Sequence, residues 1–233
     1  MTPYAIRIRQ SQGWEKHDAA TLGVSVGSPN WQGDKFAAIL GFAASHFRAV
    51  RIDVTDALYR HSFMAAGHQP DVALARANAA GALWLARHQH IINSVPVKPQ
   101  VIRWAEWYSH KDYSDVLTGF ERAYNVSPVF RGAVQEDIDE FFRRQGREAS
   151  AREHTGSRDY LIEETAVITL QARELPSLKL YPGSELKCLH VVRAGLIPEA
   201  PRGLDQERFA RVQFETRRPT MSAGNEAAVP AVG

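Results

Sequence analysis

"ATLGVSVGSPNWQGDKFAAILGFAASHFRAVRIDVTD", residues 20–56, decides the fold of this chain. An apolar run ends at a Gly/Ser/Pro turn, the helix-like stretch "GDKFAAILGFAASHF" follows, and "AVRIDVTD" reads as a second strand. Strand, short loop, helix and strand make a βαβ unit, which implies a parallel sheet with helices on its faces. In such sheets ligands sit beyond the carboxyl ends of the strands. Ser25 and the turn at Val54–Asp56 are therefore expected at the working edge.

Within that stretch, Gly23-Val24-Ser25-Val26-Gly27 has the form G-x-S-x-G, the nucleophile-elbow string of serine hydrolases. A plain turn between strand and helix accounts for the same residues. A hydrolase needs an acid and then a histidine downstream. His190, the one late histidine, lies in the apolar run "LKCLHVV", where a core position is expected. A serine without a histidine base still reacts when its substrate is an activated ester held in place. The abundant activated ester of the cytoplasm is aminoacyl-tRNA.

Outward from this unit, "DVALARANAAGALWLARHQHIIN" is strongly helical in composition, Pro96 and Pro99 break the chain, and "QVIRWAEWY" is a third strand candidate. Residues 112–153 read as helical, punctuated by Pro128 and Gly132, and "SRDYLIEETAVITLQARE" as a further helix. "SLKLYPG" is a short strand running into a Pro-Gly turn, with Tyr181 at its end. Residues 1–16 are expected to be a loosely held arm, 17–215 a single catalytic domain, and 216–233 a disordered tail.

The bulk composition agrees with one globular domain: 233 residues, 44% hydrophobic and 23% charged. The single cysteine, Cys188, excludes an internal disulfide and a cysteine-based zinc site, and is expected to be a buried small hydrophobe. No N-terminal h-region and no 18-residue apolar run is present, so a soluble cytoplasmic protein with no membrane partner is expected. Net charge is only +2 but is unevenly spread. Residues 74–111 carry Arg76, Arg87, Lys98, Arg103 and Lys111 against Glu106 alone. Residues 141–158 carry Arg143, Arg144, Arg147, Arg152 and Arg158 against Glu148 and Glu153. Such segments suit either a polyanion-binding face or solvated helix faces.

"DYLIEETAV" sets Tyr160 and Glu164 four apart, on one helix face, with Glu163 about 100° away. A phenol beside a carboxylate binds an amine, passes protons, or simply satisfies its neighbour.

"GVSVGSPN", "VRIDVTDALYRHSF", "DYLIEE" and "LYPGSE", in this order over residues 20–215, resemble the tRNA-dependent cyclodipeptide synthases. Ser28, Tyr181 and Pro182 are similar to the branch of that family with a variable residue followed by Tyr-Pro. The resemblance implies a Rossmann-like α/β fold similar to the catalytic domain of class I aminoacyl-tRNA synthetases. It implies two aminoacyl-tRNAs as substrates, no cofactor, no metal, no ATP and a monomer. Synthetase ATP signatures are missing from the sequence.

Carried over by position, the resemblance makes Ser25 the acceptor of the first aminoacyl group, and Tyr160 and Glu164 the pair that holds its amine and moves protons. Tyr181 serves the later proton transfer and ring closure. Gly23 and Val54 line the pocket for the first side chain. Gly27, Ser28 and Pro182 complete the substrate site, with Gly27–Ser28 backbone N–H groups facing the oxyanion. Arg76 and Arg87 mark the tRNA-binding helix, and Arg103, Arg143, Arg144 and Arg147 extend the basic face. Where the family's glutamate motif often has proline two residues on, this chain has Ala166. Lys179, two residues before Tyr181 and on the same strand face, is expected to meet an acidic side chain, with a small first amino acid beside Gly23. The expected product is a cyclic dipeptide, made through seryl aminoacyl- and dipeptidyl-enzymes. The alternatives are a serine esterase dependent on His190 and a non-catalytic tRNA-binding domain.

Overall fold

The computed structural model describes residues 2–9 and 13–217. Six strands form one sheet in the order β1-β6-β5-β2-β3-β4: β1 (Tyr4–Arg9), β2 (Ala19–Val24), β3 (Ala49–Val54), β4 (Gln100–Arg103), β5 (Leu178–Tyr181) and β6 (Arg208–Thr216). All neighbours are parallel except β1, which pairs antiparallel with β6. The β2–helix–β3 unit is present as expected, with α1 at Gly33–His46.

Alternation along the strands gives the sheet two unlike faces. Leu22, Val24, Ile52, Val54, Leu178 and Leu180 point to one side and pack with Phe36, Ile39 and Leu40 of α1 and Trp84 of α3 (Pro70–Ile92). Thr21, Gly23, Arg51, Asp53 and Lys179 lie on the other, under α6 (Ala151–Glu174), where Arg51 reaches the carbonyl of Gln171. Beyond α6 lies a second apolar core shared with α4 (Tyr113–Val126), α5 (Pro128–Arg144) and α7 (Lys187–Arg193). A short α2 (Arg60–Ala65) follows β3 and rests on α6.

Local chemistry sets the helix ends. Ser150 caps α6 by accepting from the Glu153 N–H, and the Glu153 carboxylate reaches back to the Ser150 N–H, a reciprocal capping box. Ser127 caps α5, with Pro128 as its first residue. Gly132, expected as punctuation, instead lies within α5; an internal glycine weakens a helix by about 1 kcal/mol without ending it.

Three further expectations are corrected. Residues 4–9, read as part of a loose arm, are an edge strand whose Tyr4, Ile6 and Ile8 alternate with exposed Arg7 and Arg9. Of "QVIRWAEWY", only Gln100–Arg103 is strand; Trp104–Ser109 turns as a 3-10 helix that buries Trp104 and Trp107. "KCLHVVR" is helix α7, amphipathic enough that Cys188 is buried while the His190 side chain is 65% exposed and faces Glu185. The residues expected to be a disordered tail begin at Thr216, the last residue of β6; residues 218–233 lie outside the described residues.

Candidate active site

The ends of β2, β3 and β5 lie along one edge. Val24 is level with Val54, Leu22 with Leu180, and Tyr181 with Arg211. Ser25 leaves β2 into a turn in which its carbonyl accepts from the Ser28 N–H at 2.9 Å. The Ser28 Oγ accepts from the Asn30 N–H, and Gln32 donates to the Val26 carbonyl at 2.9 Å. The sequence therefore holds Ser25 on a fastened turn. Its Oγ lies 3.5 Å from the Tyr181 hydroxyl, longer than a good O–H···O bond.

α6 brings Tyr160 and Glu164, one turn apart and both half-buried, to the two tyrosines that flank this serine: the Tyr160 ring stands edge-on to Tyr59 with centroids 6.1 Å apart, and the charge of Glu164 bears on Tyr181. Burial pushes the Glu164 pKa up, Lys179 draws it down and Asp137 raises it, leaving it at about 7. Burial holds the Tyr160 phenol well above its ordinary value, reinforced by Glu164, Tyr59 and Tyr181. Tyr181 is raised by burial too, with Ser25 and Arg144 pulling the other way. The phenols stay protonated at neutral pH, while Glu164 is poised between acid and carboxylate.

Two glycines make room. A Cβ on Gly23 would sit 3.0 Å from Cε of Lys179, so the bare backbone lets the lysine pass beneath the edge toward Glu164. A Cβ on Gly183 would come within 2.8 Å of the Tyr181 ring. Lys179 is 7% exposed, and its charge also bears on Asp53. Val54, expected in the first pocket, is fully buried on the opposite face of the sheet, away from this cleft. The Ser28 N–H, expected at the oxyanion, is already engaged by Ser25. Gly27 sits against Tyr59, whose hydroxyl would lie 3.6 Å from a Cβ placed there. Burial, Tyr181 and Glu164 raise the Tyr59 pKa to about 12 despite its contacts with Gly27 and Ser25.

Tyr59 is a site residue that sequence reasoning missed; its only signal was membership of "DVTDALYRHSF". Glu163 was missed as well. It is 2% exposed and accepts from Arg60 (2.9 Å), His61 (2.8 Å), Trp104 (3.0 Å) and Tyr108 (2.9 Å). Burial alone would raise its pKa, yet the hydrogen bonds from His61 and Arg60 prevail and hold it at about 2. This carboxylate ties α6 to α2 and to the turn after β4, which sets the rotation of α6 and hence the aim of Tyr160 and Glu164.

The expected basic residues divide. Arg76 and Arg87 are exposed on α3, eleven residues and about 16 Å apart on one stripe. The charge of Arg144, at the end of α5, bears on Tyr181. Arg103 turns inward, donating to Asp56 and to the Asn78 carbonyl, both at 2.7 Å. Arg143 pairs with Glu140 at 3.1 Å and Arg147 with Glu153 at 2.8 Å. No helix among the described residues is long and apolar enough to cross a membrane.

The fold is similar to that of a cyclodipeptide synthase from Fluoribacter dumoffii, with TM-score 0.81 at 23% identity over 91% of this chain and 98% of that one. It is similar to a Mycobacterium tuberculosis protein whose structure relates cyclodipeptide synthetases to type I tRNA synthetases (TM-score 0.71, 20% identity, 91% and 94% covered). A cyclodipeptide synthase from Candidatus Glomeribacter gigasporarum, solved bound to Phe-tRNAPhe, matches at TM-score 0.68 and 17% identity over 91% and 93%. No curated protein matches the chain in sequence. The family model "Cyclodipeptide synthase" matches residues 5–170, well over half of the chain. With that match and this fold, the chain belongs to the cyclodipeptide synthase family.

Proposed function

We propose that this protein is a tRNA-dependent aminoacyltransferase of the variable-Tyr-Pro branch, joining two amino acids into a cyclic dipeptide by ping-pong transfer through Ser25. The observation that carries this is the convergence of the Ser25 hydroxyl and Tyr181, at 3.5 Å, with a Glu164 whose charge bears on that tyrosine and whose pKa is about 7. Ser25 attacks the ester carbon of the first aminoacyl-tRNA. The Oγ–C bond forms, the bond to the ribose oxygen breaks, and the serine proton leaves with that oxygen. The new ammonium sits between Tyr160 and Glu164, and Glu164 takes its proton. The free amine attacks the second aminoacyl-tRNA, forming the peptide bond and releasing the second tRNA. The dipeptide's own amine then closes on the seryl ester: the second peptide bond forms, the bond to Ser25 Oγ breaks, and the proton lost by the amine reaches that oxygen through the Tyr181 hydroxyl, which gives up one proton and takes up another. The Tyr59 hydroxyl, which contacts Ser25 and is itself met by the Gly27 backbone, is the donor assigned to the oxyanion.

Gly23, whose missing Cβ makes room for the Lys179 stem, is assigned to the pocket of a small first side chain. Lys179 is the cation an acidic side chain would meet, in competition with Asp53 and Glu164. Arg76, Arg87 and Arg144 are assigned to the tRNA phosphates.

Expression in a bacterial host, with mass spectrometry of the medium, tests the reading. A diketopiperazine made by the native chain and lost in Ser25→Ala is expected. A folded chain that yields none, yet binds tRNA unchanged in Ser25→Ala, would instead be a binding domain.

A further inference from the structure

β6 continues past the end of β5. Tyr181 is level with Arg211, and residues 212–216 rise beyond the sheet edge with only β1 beside them. This two-stranded ribbon walls a groove of about 550 Å³ next to the Tyr181–Pro182 turn, lined by Arg9, Lys35, Pro182, Arg211, Gln213 and Phe214. Three cations and no carboxylate line it, in a chain whose net charge is only +2.

The placement of those cations is unusual for a sheet. Arg9 lies directly opposite Arg211 in the antiparallel ladder, and like charges so opposed destabilise a ribbon. Further along the ribbon, Arg7 pairs with Glu215 at 3.3 Å, so the same ladder is balanced away from the site and unbalanced beside it. Arg9 is steadied by donating to Gln213 at 3.0 Å. Lys35 is held by Asn30 at 3.1 Å and lies over the Phe214 ring. Among the described residues none of these cations meets an acid. The basic stripe of α3 lies toward β3 and β4, on the other side of Ser25, so this groove is a separate positive surface at the same edge.

We propose that the Arg9 and Arg211 side of this groove binds the phosphodiesters of a tRNA 3′ end, so that the terminal ester is delivered to Ser25 and Tyr181, while Lys35 stands over Phe214 on the opposite face of the ribbon. This rests on the synthase reading. Arg211 is one strand spacing, about 5 Å, from Tyr181, which suits the phosphates next to the esterified ribose. Arginine is the residue suited to phosphate by its planar fork of donors.

The test compares native chain, Arg9→Gln/Arg211→Gln and Arg211→Lys. Measured are KM for aminoacyl-tRNA across a salt series, and the rate at which Ser25 is acylated by a small aminoacyl ester lacking phosphate. The double variant is expected to raise KM roughly tenfold and to flatten log KM against log salt by about 1.4, or about 0.7 per lost single-strand phosphate contact. Arg211→Lys keeps most of the slope, and the small ester reacts at the native rate. An unchanged KM and slope overturns the proposal, as does equal loss with the small ester, which would make the arginines supports of the site. If the native chain forms neither product nor acyl-enzyme, the synthase reading has failed. Anisotropy with uncharged tRNA then still decides the groove by the same salt slope.

Discussion

The two faces of the sheet are built from the same strands, and alternate residues tell them apart. Under α1 and α3, Leu22, Val24, Ile52, Val54, Leu178 and Leu180 are closed to solvent, as strands of a parallel sheet covered by helices ordinarily are. Under α6, the intervening Arg51, Asp53 and Lys179 are equally buried but charged. Arg51 and Asp53 sit 3.2 Å apart, and neither Asp53 oxygen has a hydrogen-bond partner. Burial lifts the Asp53 pKa to about 6, opposed by Arg51 and Lys179 and aided by Glu207. Burying charge in this way is costly and is not a route to stability. The polar face is also the one that carries Glu164, whose proton affinity depends on Lys179. One face therefore meets its helices through apolar side chains alone, while the other buries charge next to Glu164.

The sharpest way to break that contrast is on the polar face. Asp53→Ala leaves Arg51 as an uncompensated buried cation and is expected to cost about 3–5 kcal/mol. The paired replacement Arg51→Met/Asp53→Leu is expected to be neutral or stabilising by about 1–4 kcal/mol. Urea denaturation measures both, and a double variant as unstable as the single would mean that the ion pair does support the fold. Next is Leu22→Ala on the apolar face, expected to cost about 2–5 kcal/mol through lost burial and a cavity. Its pH–rate profile should match that of the native chain. A shifted profile would show the two faces to be coupled.

Smallest in energy is Lys179→Met. The lysine lowers the Glu164 pKa, so its removal raises that pKa above about 7. With Glu164 in the proposed role of proton acceptor, the rate rises with pH through its pKa, and the midpoint of that limb should move to higher pH. A midpoint that stays in place would detach Lys179 from Glu164. The same variant shows whether the product spectrum changes, which is the consequence of assigning an acidic substrate to Lys179.

Much of the fold is legible where the signal is local. Residues 20–56 declare strand, turn, helix and strand because each element carries its own periodicity. The end of β2 then places Ser25 by the geometry of parallel sheets alone. Tyr160 and Glu164 share a face because helical spacing fixes it. Less legible are elements whose identity depends on a distant partner. "YAIRIR" alternates over only six residues, and it becomes a strand by pairing with β6, with Tyr4 opposite Thr216. His190 lies in an apolar run yet faces solvent, because the run is one short helix with a single buried side.

By itself, then, the sequence determined the βαβ core, the edge at which Ser25 stands and the register of Tyr160 with Glu164, since all three follow from chain-local geometry. Only the tertiary structure decided which charges matter. Arg103 reads as part of a basic face until Asp56 and Asn78 claim it, and Arg147 until Glu153 does. Glu163 looks like a neighbour of the working glutamate until four side chains from α2 and the turn after β4 close around it. The physical reason is that the energy of a charge depends on burial and on partners brought from far along the chain.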